Sequence, residues 1–144
     1  MRLAEHDLEM LLRACAAVQM AIALLNLALP RLLHWAADLQ RMPLLLREVF
    51  HVHAWFISVT LAIFAVMTWR FAPELAGGAS EPLAWLAAGI ATFWGLRSIL
   101  QVAYYSSSHW RGRSGPTAVH ITLLIVYPPM TMIYALAVLQ FASD

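Results

Sequence analysis

Apolar residues run through the chain in four long blocks, Leu11–Leu29, Val49–Trp69, Leu83–Tyr105 and Ala118–Phe141, separated by short polar connectors. A helix needs about 20 mainly apolar residues to cross a bilayer, and each block meets or approaches that length. The blocks are continuous rather than alternating, which favours spans over strands. Little chain is left over for a soluble module. The pattern therefore predicts an all-α integral membrane protein, a four-transmembrane-helix bundle with residues 1–144 in one domain.

The connectors refine this picture. Arg31–Leu46 (RLLHWAADLQRMPLLL) mixes Leu33, Trp35, Leu39 and Met42 with Arg31, Asp38, Gln40 and Arg41. That mixture predicts an interfacial amphipathic helix between helices 1 and 2, with Pro30 ending the first span and Pro43 breaking the connector. Phe71–Pro82 (FAPELAGGASEP) is short and holds Gly and Pro, so the second and third spans are expected as antiparallel neighbours. Trp69 and Arg70 suit the interface before it, and Arg13 is placed to snorkel towards headgroups. Pro128 and Pro129 fall near the middle of the last span, where they remove two backbone donors and strand carbonyls one turn earlier. A kink is expected there.

Composition agrees: 62% of the residues are hydrophobic and 12% charged, against about 45–50% and about 25% in an ordinary soluble domain. A net charge of +1 argues against nucleic acid as a partner. With one cysteine, Cys15, no internal disulfide forms, and with no lysine at all a Schiff-base chromophore is excluded. The start MRLAEHDLEM is acidic and lacks a cleavage site, so the first span is expected to be retained. Arg31, Arg41, Arg47, Arg111 and Arg113 fall on one side of the predicted topology and Arg2, Arg13 and Arg70 on the other. The positive-inside rule then puts the first and third connectors inside and both termini outside.

With alternating helices and about 1.5 Å of rise per residue, the intramembrane polar groups collect at one depth. Asn26, Glu48, His51, His53, Arg97, Gln101, Tyr105 and His120 all fall in the inner half, while the outer half is nearly all apolar. Trp94, Arg97, Gln101 and Tyr105 form one stripe on the third span. An arginine in hydrocarbon costs about 2.5–3.5 kcal/mol on insertion scales, so Arg97 requires a partner, and Glu48 is the acid at that level. An Arg97–Glu48 ion pair is expected. On the second span Glu48, His51 and Trp55 share a face, whereas His53 points about 200° from His51, so the two histidines do not form a bidentate site. Gln19 and Asn26, seven residues apart, are expected to bond between helices.

Several functions fit these residues. In one, Glu48, His51, Arg97, Gln101 and His120, with Asn26 and Tyr105 at the rim, form a pocket for a membrane-soluble molecule with a polar head, such as a quinone, isoprenoid or lipid. Trp55, Trp94 and Tyr127 would line its apolar tail. A second adds chemistry, with His51 or His120 as acid or base and Arg97 stabilising negative charge. The residues do not separate a catalyst from a binder. A third places a b-type haem between His51 or His53 and His120, although Glu48 beside the ring counts against it. Other metals are not favoured, because Glu48 and His51 form a lone E-x-x-H and no H-E-x-x-H occurs. The fourth is an accessory subunit of a membrane complex, or a homo-oligomer, in which the network fixes helix pairing and Ala88, Ala91 and Gly95 admit a close helix.

Arg47-Glu48-Val49-Phe50, followed by Trp94, Arg97 and Gln101 in the order W-x-x-R-x-x-x-Q, resembles short bacterial four-helix membrane proteins. The resemblance covers much of the second and third spans. It implies the four-span architecture and brings no activity or ligand with it.

Overall fold

The computed structural model describes residues 4–32, 35–78, 80–104 and 114–142. Six helices occur among them: α1 (Glu5–Leu32), α2 (Ala36–Gln40), α3 (Leu44–Arg70), α4 (Ala72–Ala76), α5 (Glu81–Ala103) and α6 (Ser114–Phe141). No strand is present among the described residues. Four helices are long and apolar enough to cross a membrane: Glu5–Leu32, Leu44–Arg70, Glu81–Ala103 and the His120–Phe141 part of α6.

Every long helix matches an apolar block, but most outrun it. α1 begins at Glu5, ahead of the block at Leu11, because Glu5 and Asp7 in its first turn complement the positive end of the helix dipole. Its far end runs through Pro30 to Leu32, so the proline lies inside the last turn and does not end the helix. The connector expected as one interfacial helix is divided. Its first residues extend α1, its middle forms α2, and its last residues start α3 directly after Pro43. Proline fits that junction because a helix start leaves its first N–H groups without intrahelical partners. The Phe71–Pro82 connector holds a short helix that the sequence reading leaves as loop. Pro73 opens α4, and the chain leaves it through Gly78, whose φ of 72° is left-handed and suits glycine. α6 continues as helix across Pro128 and Pro129.

Contacts divide the chain into two compact units, residues 13–70 and residues 1–12 with 71–144. In the first, α1 and α3 run antiparallel. Arg13 stacks over the Trp69 ring at 5.3 Å, while Asn26, further along α1, bonds to Ala54 and Ser58, earlier on α3. Arg13 is thus seated on an aromatic face, a cation–π contact that its snorkelling position permits. The Trp35 ring meets the edge of Phe50 at 6.3 Å and ties the connector to the start of α3.

In the second unit α5 and α6 pack antiparallel, with α4 against both. Trp94 meets Tyr127 and Gln101 meets His120, so later residues of α5 pair with earlier ones of α6. Gly95 faces the α6 side chain of Thr131, where an added Cβ would sit 3.4 Å from Cγ2, an ordinary contact distance. That assigns Gly95 of the small-residue stripe to packing within the unit.

The buried core is mainly apolar, built on Leu8, Leu12, Ile90, Trp94 and Tyr134, yet many large apolar side chains also stand outside it. Gln19, Thr68, Ser58 and Gln101 are buried, whereas Leu24, Leu45, Trp85, Val102 and Ile125 are exposed. Exposed large apolar side chains on helices of this length are compatible with a hydrocarbon surround.

Candidate functional site

The site is built on one face of α5 and one face of α6. On α5, Trp94 and Gln101 are seven residues apart, two helical turns, and both are buried, with Arg97 half-buried between them. On α6, His120, Tyr127 and Tyr134 repeat at the same interval. Both tyrosines are buried and His120 is half-buried. The two stripes meet rung by rung.

At the rung nearest the α5–α6 connector, the Gln101 amide Nε2 donates to His120 Nδ1 at 2.8 Å. With the amide in this orientation the neutral imidazole carries its own proton on Nε2. Axial ligation of a haem through His120 Nε2 would require the amide turned over. One rung further, the Arg97 guanidinium carbon lies 5.5 Å from the centre of the Tyr127 ring, and that ring sits 5.1 Å from Trp94 at 37°. Arg97, Tyr127 and Trp94 form a cation–aromatic stack that places a charged side chain beside apolar surface.

Beside these rungs lies a groove of about 380 Å³, open on one side and walled by Ser98, Gln101 and Val102 of α5 and Leu124, Tyr127 and Pro128 of α6. The wall is almost wholly apolar. Ser98 turns its hydroxyl back to the Trp94 carbonyl at 2.8 Å and so offers little to the groove. Gln101 Oε1 is different: it is buried and has no hydrogen-bond partner. A buried amide oxygen left unpaired costs about 1–3 kcal/mol, which a structure keeps only where something else compensates. The Trp94 indole Nε1 is also buried without a partner, but Trp94 does not line the groove.

The remaining predicted residues belong to the other unit or fall outside the described residues. Glu48, His51, His53 and Trp55 are exposed on α3, in the other unit from Arg97, Gln101 and His120. His51 donates from Nδ1 to the Arg47 carbonyl at 2.7 Å, one turn back, which leaves Nε2 with the ring's lone pair. Asn26 donates from Nδ2 to the Ala54 carbonyl at 3.1 Å and to Ser58 Oγ at 3.0 Å, so it holds α1 to α3 as an interhelical bond. Tyr105, Arg111 and Arg113 lie outside the described residues. No cluster of three or more potential metal ligands occurs among the described residues.

The stripe of Trp94, Arg97 and Gln101 is legible as spacing. Ser98, Val102 and Leu124 are not, because single apolar or hydroxyl residues in a span carry no signal of which one borders a groove. Pro128 carries one, since its missing N–H is predictable, yet its place in the groove wall depends on how α6 is rotated against α5.

No known protein family, curated protein or solved structure matches this chain.

Proposed function

We propose that the protein spans a bilayer, and that the groove between α5 and α6 binds a membrane-soluble small molecule with a polar head and an apolar tail, of the quinone, isoprenoid or lipid kind. One observation carries this reading: a single unpartnered polar atom, Gln101 Oε1, belongs to a residue in an otherwise apolar groove wall. Small-molecule sites combine mostly apolar lining with a few placed polar groups, and a groove near 380 Å³ falls in their usual range of roughly 300–1,000 Å³. His120 fixes the Gln101 amide, and Arg97 braces the Tyr127 wall from behind. The distribution of arginines orients the bundle with both termini outside the bacterial inner membrane.

Native mass spectrometry of the protein extracted from the membrane in which it is made tests the reading. A bound small molecule of one mass is expected on the wild type and is expected to be lost in Leu124→Trp, which fills the groove. A mixed set of phospholipid adducts that Leu124→Trp leaves unchanged would overturn it.

A further inference from the structure

Around this groove two acceptors, and one hydrogen of the Gln101 amide, are left without partners, a set that a hydroxyl can serve from both sides and a carbonyl from one. We infer that the site selects a head that donates a hydrogen bond, a neutral hydroxyl on an apolar tail, over the corresponding carbonyl or ether; the inference rests on the groove reading above.

Two independent features point the same way. The first is the side chain of Gln101, which is 3% exposed. One hydrogen of its amide nitrogen goes to His120, and its oxygen is a buried atom left without a partner. A ligand in the groove meets the residue that carries this buried, unpaired acceptor. The second is the backbone of α6. Pro128 has no N–H, so the Leu124 carbonyl lacks the donor that a regular helix supplies four residues on. Leu124 and Pro128 both line the groove, so the missing bond belongs to its wall. In hydrocarbon no water is at hand to replace it. Both vacancies are acceptors that need a donor.

Charge narrows the choice of donor. Among the described residues no acidic side chain lines the groove, and the Arg97 guanidinium sits over the Tyr127 ring that forms part of the wall. An ammonium head would enter without a counter-charge and beside a cation. A hydroxyl donates without carrying charge. Prenols, fatty alcohols and the reduced, hydroxyl-bearing form of a quinone share this chemistry, and the volume accommodates the head and the first part of the chain.

The test is a competition in lipid nanodiscs containing the full chain. A radiolabelled farnesol with a diazirine on its tail is photo-crosslinked to the protein, with unlabelled farnesol, farnesal or farnesyl methyl ether as competitor. Saturable crosslinks at residues 98–103 or 123–128 are expected, with farnesol competing about tenfold better than the other two, equivalent to about 1.4 kcal/mol. Gln101→Leu is expected to reduce this preference to under about threefold. Pro128→Ala, which restores a donor to Leu124 and removes a helix breaker, is expected to weaken it in a chain at least as stable as the wild type. Equal competition by all three probes at a saturable groove site would overturn the hydroxyl preference and leave the groove reading standing, as would stronger competition by farnesal. Crosslinks scattered over the lipid-facing helices, competed by none of the three, would overturn both.

Discussion

The α1–α3 contact and the α5–α6 contact each use a side-chain amide to join two antiparallel helices, and they end in different states. Asn26 gives both amide hydrogens to α3, and Ser58 passes its own hydroxyl hydrogen on to the Ala54 carbonyl at 2.9 Å. The donors of both side chains are in use, and Asn26 is only half-buried, so its oxygen is not sealed away. Gln101 gives one hydrogen to His120 and keeps an unpartnered oxygen beside a groove, where a proline has also removed a helix hydrogen bond. The comparison separates a half-buried amide whose donors are spent on the neighbouring helix from a buried amide whose oxygen has no partner. Residue type does not make that distinction, since Asn and Gln offer the same groups. Geometry makes it, through which atoms find partners.

Substitutions sharpen the contrast, and the largest effect belongs to the aromatic seam. Trp94 is 1% exposed and packs on Tyr127, so Trp94→Ala opens a large cavity behind the groove and is expected to destabilise the protein by about 3–5 kcal/mol in reversible unfolding from mixed micelles. A smaller loss, under about 1 kcal/mol, would mean that the α5–α6 seam is looser than its contacts imply.

The two amides then part company. Asn26→Leu deletes two interhelical bonds and is expected to cost about 1 kcal/mol, near the upper part of the range measured for such bonds in membrane proteins. Gln101→Leu deletes one bond but also removes a buried unpaired oxygen, so stability is expected to change by less than about 0.5 kcal/mol while the preference for a hydroxyl head is lost. If Gln101→Leu proved the more damaging to stability, Gln101 would be helix glue like Asn26, and the contrast would fail.

Much of the fold is legible in the sequence, because four uninterrupted apolar blocks leave the backbone no other way to satisfy its hydrogen bonds in lipid. Helix ends are less so. Glu5 and Asp7 extend α1 beyond its apolar block, since helix length follows backbone bonding and terminal charge as well as hydropathy. α4 hides in a connector rich in Gly and Pro, although Pro73 at its start and the glycines at its end are boundary signals. In the candidate site, helical spacing brings out Trp94, Arg97 and Gln101 together, and it separates His51 from His53. It does not show that Arg97 would stack on Tyr127 or that Asn26 would select Ser58, because both depend on how one helix is turned against its neighbour. Least visible is the open oxygen of Gln101, which exists only once His120 has taken the nitrogen.

The most direct test of that open oxygen is a nuclear magnetic resonance titration of the protein in nanodiscs. Side-chain carbonyl carbons of glutamine and asparagine are ¹³C-labelled and assigned by Gln101→Leu and Asn26→Leu, and farnesol and farnesal are added in turn. The Gln101 resonance is expected to move saturably with at least one of the two compounds while that of Asn26 stays fixed. A Gln101 resonance that moves with neither, or that moves no more than Asn26, would contradict the account of an open site between α5 and α6.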